Sequence, residues 1–527
     1  AEQVLPLLGA YLQSETWVQA RQVVEASPEL LRDEAQQALK QLINAAHRWG
    51  DWRAARILRE HRIILRQCRR IGALRAFAPH QGISPDDAIR RLGRLLRELG
   101  QPPAACPPAE RVCLCQKALA LVSPAMAPQL WATLKVELGN ALAMSDADEE
   151  GEALEGALQA YADALTVITR ERAPCDWALV QSNRANALRL RRLGDQSANM
   201  REAIAAYEQA RDVLTRQSAP RLWAQVQNNL GNALLSRGRG RCAIDVERAI
   251  EAYTAALGIL TRERTPLAWA RVAANLASAY LDRLRPTQAD NAEKAITILE
   301  QVLEMRRQLS TPIQWATTSS QLAGAYLQRR RGNRAANVER AIRAAQQALQ
   351  VLSPSATPLA WAQAMRVLGC AYAAWPLGDT ERNIEKAIET LQQALTVQTR
   401  HRAPEEWAQT VSSLGSAYAV RQRGDLTQNA HLAEQHWRSA LEVLTLLERP
   451  LHWAQLTSNL AAALCIGEGE HKPQAIEQAI SMYHQALAAV PQEAAPDTWA
   501  RIQHSIGAAY HIRPWGCHSE NLARAIE

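Results

Sequence analysis

Apolar positions along this chain fall into paired helical stripes that recur. In the stretch WAQVQNNLGNALLSRGRGRCAIDVERAIEAYTAALGILTRERTPLA, residues 223–268, Trp223 is counted as zero. Small or apolar residues at +7, +8, +10 and +11 (Leu230, Gly231, Ala233, Leu234) form one stripe with helical spacing. Those at +26, +27, +30, +33, +34 and +37 (Ala249, Ile250, Tyr253, Ala256, Leu257, Leu260) form a second. One unit is therefore a helical hairpin. It recurs because Trp131, Trp177, Trp223, Trp269, Trp315, Trp361, Trp407, Trp453 and Trp499 each precede Ala and stand 46 residues apart. Such a strict period marks an array in which each hairpin buries its apolar face on its neighbours.

The residues between the stripes predict where helices stop and start. Gly at +17 (Gly194, Gly240, Gly332, Gly378, Gly424, Gly516) predicts a left-handed residue closing the first helix. Asn or Asp at +22 (Asn199, Asp245, Asn291, Asn337, Asn383, Asn429, Asn521) predicts a cap for the second helix, and Glu two residues later suits its positive end. Pro at +43 (Pro174, Pro220, Pro266, Pro312, Pro358, Pro404, Pro450, Pro496) separates one hairpin from the next. One period before Trp131, Leu92, Gly93 and Leu96 keep the +7, +8 and +11 positions while Pro85 takes the place of Trp. The expected domain plan is an N-terminal helical cap or docking domain over 1–80, a degenerate unit over 85–130, and nine units over 131–527. The ninth unit stops inside its second helix and lacks a polar terminal cap, so the natural chain is expected to continue.

The run L-G-x-x-Y/L at +7, +8 and +11, then A-x-x-x-Y at +26 and +30, Ala at +33 and a closing Pro, resembles the tetratricopeptide repeat. That resemblance implies an all-α, right-handed α-solenoid of helix-turn-helix units. The standard unit has about 34 residues, so the extra length here falls in the inter-helix loop and the second helix. The Trp-Ala start, the long loop and the segments SETWVQARQVVEASPELLRDEA and LREHRIILRQCRRIGALRAFA are similar to arrays upstream of CHAT domains, the caspase-like cysteine peptidases of bacterial defence and signalling. That similarity implies a peptidase with a His and Cys dyad beyond residue 527. None lies within these residues, so no catalytic residue carries over and the chain is read as non-enzymatic. The partners implied are a regulator, a substrate such as a pore-forming protein, or an RNA-guided effector complex.

Composition agrees with an all-helical chain. Apolar residues make up 47%, Phe77 is the single phenylalanine, and no Val/Ile/Thr-rich run of the kind strands need occurs. Lys and Arg (60) exceed Asp and Glu (53) by a margin spread along the chain, a mild pull toward acidic partners. Nine scattered cysteines suit a reducing compartment and a cytoplasmic location. No apolar run of about 18 residues and no signal-peptide pattern occurs, so no membrane association is expected.

In tetratricopeptide arrays the first helices line the concave face. The resemblance therefore points to Asn183, Asn229, Asn275 and Asn459 at +6, with Gln321 in the same row, and to Asn140, Asn186 and Asn232 at +9, as a peptide groove. The alternative is that these amides tie neighbouring hairpins together. The basic residues that complete a carboxylate clamp in some relatives are only partly present, as Arg271 at +2. Arg at +14 (Arg191, Arg237, Arg283, Arg329, Arg421, Arg513) and Glu at +24 (Glu247, Glu293, Glu339, Glu385) predict an ion pair within each unit. Arg59, Arg62, Arg66 and Arg69 form a basic stripe, either a docking surface or a solvated helix edge. Cys113 and Cys115 point apart on a helix, and His504, His511, Cys517 and His518 match no zinc spacing, so no metal or cofactor is expected. The tryptophans read as packing residues. These features predict a non-catalytic scaffold that binds a peptide or protein along its concave face. The alternatives are the sensing arm of a CHAT-type protease, with nucleic acid met only indirectly, and self-association.

Overall fold

The computed structural model describes all residues except 1–3, 15, 49–50, 78–84, 103–105, 123, 125–126, 146–150, 192, 239–242, 284–287, 447–449, 467–471, 491, 493–494 and 527. Regular structure among the described residues is helical throughout. The chain forms two compact units, Ala1–Leu222 and Trp223–Glu527.

The first unit opens with α1 (Val4–Leu12), α2 (Trp17–Ala26), a 3-10 turn (Pro28–Leu31), α3 (Asp33–Arg48), α4 (Trp52–Ile71) and α5 (Ala73–Phe77). They enclose one apolar cluster that includes Leu8, Tyr11, Leu30, Leu39, Leu65 and Phe77. Thr16 and Gln19 close a capping box at the start of α2. Next come α6 (Pro85–Leu99) and α7 (Pro108–Leu119), whose Leu99 and Cys115 share a cluster with Leu134. Burial pushes the Cys115 thiol up to about 11, which fits a core thiol. Arg21 of α2 is buried and donates from Nη2 to the carbonyl of Ala120 at 3.0 Å, which ties the opening helices to the end of α7.

The hairpins follow in order. In the first unit they are α8 (Pro128–Ala143) with α9 (Glu152–Leu165) and α10 (Pro174–Leu190) with α11 (Gln196–Val213). Then come α12 (Pro220–Gly238) with α13 (Ala243–Leu257), α14 (Pro266–Asp282) with α15 (Gln288–Gln308), and α16 (Pro312–Gln328) with α17 (Arg334–Leu349). The last four are α18 (Pro358–Ala373) with α19 (Thr380–Leu395), α20 (Pro404–Val420) with α21 (Leu426–Leu441), α22 (Pro450–Ile466) with α23 (Lys472–Ala488), and α24 (Pro496–His511) with α25 (His518–Ile526). Within each unit every second helix also packs on the next first helix, which is the stacking of an α-solenoid.

Local chemistry explains the hairpin. Each first helix begins on its proline, whose missing N–H falls where a helix start has no intrahelical acceptor. The small +8 position lets the two helices approach: a Cβ on Gly139 or Gly231 would fall 2.6 or 2.7 Å from a ring carbon of Tyr161 or Tyr253. The Ala after the Trp is fully buried at Ala132, Ala178, Ala224, Ala316, Ala362, Ala408 and Ala454, and is exposed only in the last hairpin, at Ala500. The tryptophans lie at the seams between hairpins and most are only partly buried. Cations cover several of them, Arg262 at 4.4 Å from the Trp269 ring centre and Lys135 at 5.3 Å from that of Trp131.

The punctuation falls differently from the sequence expectation. The first helix ends at about +13, and Gly194, Gly332, Gly378, Gly424 and Gly516 take positive φ (76° to 90°) in the inter-helix turn rather than at the helix end. Gly240 lies outside the described residues. The cap of the second helix is the +18 residue: Asp195, Asn333, Asp379 and Asp425 accept from first-turn N–H groups. The Asn at +22 sits inside the helix and reaches back to hold the turn. Its Nδ2 donates to a turn carbonyl, from Asn199 to Leu193 at 2.9 Å, Asn429 to Arg423 at 3.0 Å and Asn521 to Trp515 at 2.8 Å. An amide suits that post because it donates and accepts at once.

In the last hairpin the +18 cap position is Cys517, exposed, with its Sγ 2.9 Å from the Ser519 hydroxyl. Hydrogen bonds from that hydroxyl and from the Glu520 and Ser519 N–H groups hold its thiol below the usual range. Near neutral pH Cys517 should therefore be alkylated by iodoacetamide faster than the exposed Cys113 and Cys175. Peptide mapping after a short pulse reads the order, and equal rates would show that the cap does not hold a thiolate.

Candidate functional site

The recurrent charges at the turns are stitches between hairpins. Arg at +14 forks onto Glu at +24 of the preceding hairpin: Arg283 Nε and Nη2 reach Glu247 at 2.7 and 2.8 Å, and Arg329 reaches Glu293 at 2.7 and 3.1 Å. Arg191 with Glu155, Arg421 with Glu385 and Arg513 with Glu477 repeat the arrangement. The pair expected within one unit thus joins two, because the end of a first helix lies beside the start of the second helix it stacks on. Exceptions follow the same logic. Position +24 before Arg237 is Arg201, and Arg237 forks onto Asp245 of its own hairpin at 2.6 and 2.7 Å. Trp375 replaces Arg at +14 after Glu339, and Glu339 pairs with Arg343 on its own helix at 3.0 Å.

The amide rows are engaged with their surroundings. At +9, Asn140, Asn186 and Asn232 accept from the hydroxyls of Tyr161, Tyr207 and Tyr253 at 2.9, 2.6 and 2.8 Å, each within its own hairpin. At +6, Asn183 donates to Asn140 at 3.0 Å, Asn275 to Asn228 at 3.0 Å and Gln321 to Ser278 at 3.3 Å, each toward the preceding hairpin. Asn229 accepts from Asn228 at 3.2 Å. Asn459 has no hydrogen-bond partner among the described residues and stands on the wall of a cavity of about 420 Å³ with Ser416, Val420, Ala463 and Ile466. These residues come together in short groups along the stack, not as one continuous groove.

The basic stripe on α4 is partly neutralised. Arg69 pairs with Asp33 at 2.6 Å and Arg59 lies 2.5 Å from His47, while Arg62 and Arg66 are close enough that, after desolvation, their repulsion lowers the pKa of Arg62. Among the described residues no group of three or more His, Cys, Asp or Glu is placed to hold a metal ion, and no helix is long and apolar enough to cross a membrane.

A concave site that the sequence reading did not single out lies in the second unit. First helices of five successive hairpins, α14 to α22, converge on a cavity of about 880 Å³. Arg330, past the end of α16, pairs with Asp497 at the start of α24 at 2.7 Å, four hairpins further on. Gln363, Gln409 and Gln455 face the cavity from α18, α20 and α22, all at +2 and each 46 residues from the next. Arg366, Arg334, Glu405 and His452 stand beside this ladder. Gln363 Oε1 accepts from Arg366 Nε at 3.3 Å, and Gln409 Nε2 donates to Glu405 at 3.3 Å. The signal was present in the sequence as three consecutive Gln at one register, and as Arg366 at +5 where Ser182, Ser320, Ser412 and Ser458 stand in other units.

No family model matches the chain, and no curated protein sequence does. Among solved structures it is similar to the apo form of RapI, with a TM-score of 0.44 at 12% identity over 76% of this chain and 97% of that one. A Rap protein complexed with Competence and Sporulation Factor gives 0.40 at 14% identity, over 75% and 99% of the two chains. A STAND protein with a tetratricopeptide repeat sensor from Pyrococcus horikoshii gives 0.38 at 13%, over 80% and 72%.

Proposed function

We propose that the chain is a non-catalytic interaction scaffold that holds an extended peptide or protein segment in the concave cavity of its second unit. The observation that carries this reading is the ladder of Gln363, Gln409 and Gln455, which presents one amide per hairpin to a cavity of about 880 Å³. An extended polypeptide exposes a backbone donor and acceptor at every residue, and a row of side-chain amides on successive helices is suited to pair with them. The asparagines at +6 and +9 on α8 to α14 are bonded to tyrosines and to one another and are not part of the ladder, and Asn459 lines the separate cavity of about 420 Å³. The partner is a protein or peptide. Similarity to arrays that precede CHAT domains supports a finer reading, in which this scaffold is the sensing arm of such a protease and meets a regulator or a larger effector complex. Reading the gene beyond the codon for Glu527 tests it, since a stop codon there would remove the idea.

Substituting Gln363, Gln409 and Gln455 together by Ala should weaken capture of a bound peptide by about tenfold or more, at about 0.5–1.5 kcal/mol per lost hydrogen bond. The helical circular dichroism should not change, because the ladder is on the cavity wall and outside the core clusters. Isothermal titration reads the result, and unchanged affinity would place the binding surface elsewhere.

A further inference from the structure

We propose that the segment held in this cavity is acidic and that Arg366 anchors it through a carboxylate. The proposal rests on the reading of the cavity as a polypeptide groove and adds the chemistry of its occupant. At +14 the repeat itself matches an arginine to a carboxylate, in Arg191, Arg283, Arg329, Arg421 and Arg513. On the cavity wall Arg283 is matched by Glu247, Arg329 by Glu293 and Arg330 by Asp497. Two are not matched. Arg366 is half-buried and bonds only the Gln363 side chain, and Arg334 bonds only the carbonyl of Leu327, at 2.6 Å. The wall carboxylates, Asp282 and Glu405, both have partners already.

Stacking does not require an arginine at this register, because other hairpins carry serine there. A part-sheltered guanidinium with no carboxylate of its own has its planar fork available, and a ligand carboxylate can accept from that fork in two parallel hydrogen bonds. The ladder decides between kinds of anion. A free phosphate would use Arg366 and Arg334 and leave the three amides idle, whereas a polypeptide crossing α18, α20 and α22 uses both sets. Single-stranded nucleic acid needs rings to stack on, and Tyr280 is the one Tyr, Trp or Phe among the described lining residues.

The test uses the full chain and a fluorescent peptide of about ten residues in which Glu alternates with Ser. Its twin carries Gln for Glu, and an oligothymidylate of about ten nucleotides serves as competitor. The Glu peptide should bind about tenfold tighter than its Gln twin at about 50 mM salt. Arg366→Gln should remove that difference, Arg366→Lys should keep part of it, and Arg66→Gln, which takes the same charge from the first unit, should leave it intact. Equal binding of the twins, or an equal loss in Arg66→Gln, overturns the proposal in favour of charge-blind or diffuse attraction. Stronger binding of the oligothymidylate overturns it in favour of nucleic acid. Equal binding of the twins that disappears in the Gln363, Gln409, Gln455 triple variant would sink the acidic occupant alone. If neither peptide binds, the groove reading falls with it.

Discussion

Truncating Tyr253 to Ala is expected to lower the stability of the second unit by about 3–5 kcal/mol, the range for removing a large ring from a packed core. The ring is fully buried and lies directly against the backbone of Gly231. Its hydroxyl donates to Asn232 at 2.8 Å, so the truncation leaves both a void and an acceptor without its donor. Two companions separate these effects. Tyr253→Phe keeps the ring and should cost about 1 kcal/mol, while Gly231→Ala pushes a methyl into the ring and should cost about 1–3 kcal/mol. Urea unfolding followed by hydrogen exchange in α12 and α13 reads all three. If Tyr253→Ala fell within about 1 kcal/mol of the wild type, this contact between the helices of one hairpin would not be a main source of its stability.

The second large effect is expected at Arg21. Arg21 and Glu25 are one helical turn apart on α2, 3.6 Å between charged atoms, with side chains 2% and 3% exposed. Burial first, and then the Glu25 carboxylate, push the Cys68 thiol up to about 12, as expected if the Glu25 charge is poorly screened. Arg21→Ala removes the cation, keeps the buried anion and breaks the bond to the Ala120 carbonyl, so the cost should be about 3–5 kcal/mol. Replacing both partners with apolar residues, Arg21→Met with Glu25→Leu, should recover most of that loss, since the burden is the unpaired charge. Thermal unfolding together with limited proteolysis of the first 120 residues measures both variants. A double variant as unstable as the single one would show that the bond to Ala120, not the charge, ties the opening helices to the unit.

Helices and hairpins were legible in the residues because their causes are local. A stripe of period 3.6, a proline at the first position and a glycine that tolerates positive φ act over a few neighbours, so spacing alone locates them. The exact duty of each polar residue was less legible. Asn at +22 reads as a helix cap, yet the +18 residue caps and the Asn grips the turn, because the choice depends on how the loop folds back.

Register alone determined that this chain is a stack of 46-residue helical hairpins, since that conclusion needs only short-range periodicity repeated nine times. Tertiary structure decided which surfaces meet. Arg283 chose the Glu of the preceding hairpin over one in its own, and Gln363, Gln409 and Gln455 came to share a cavity with Arg366. Such pairings depend on the small rotation between successive hairpins, which accumulates over several units and is set by the sum of many seam contacts, so no single stretch of residues encodes it.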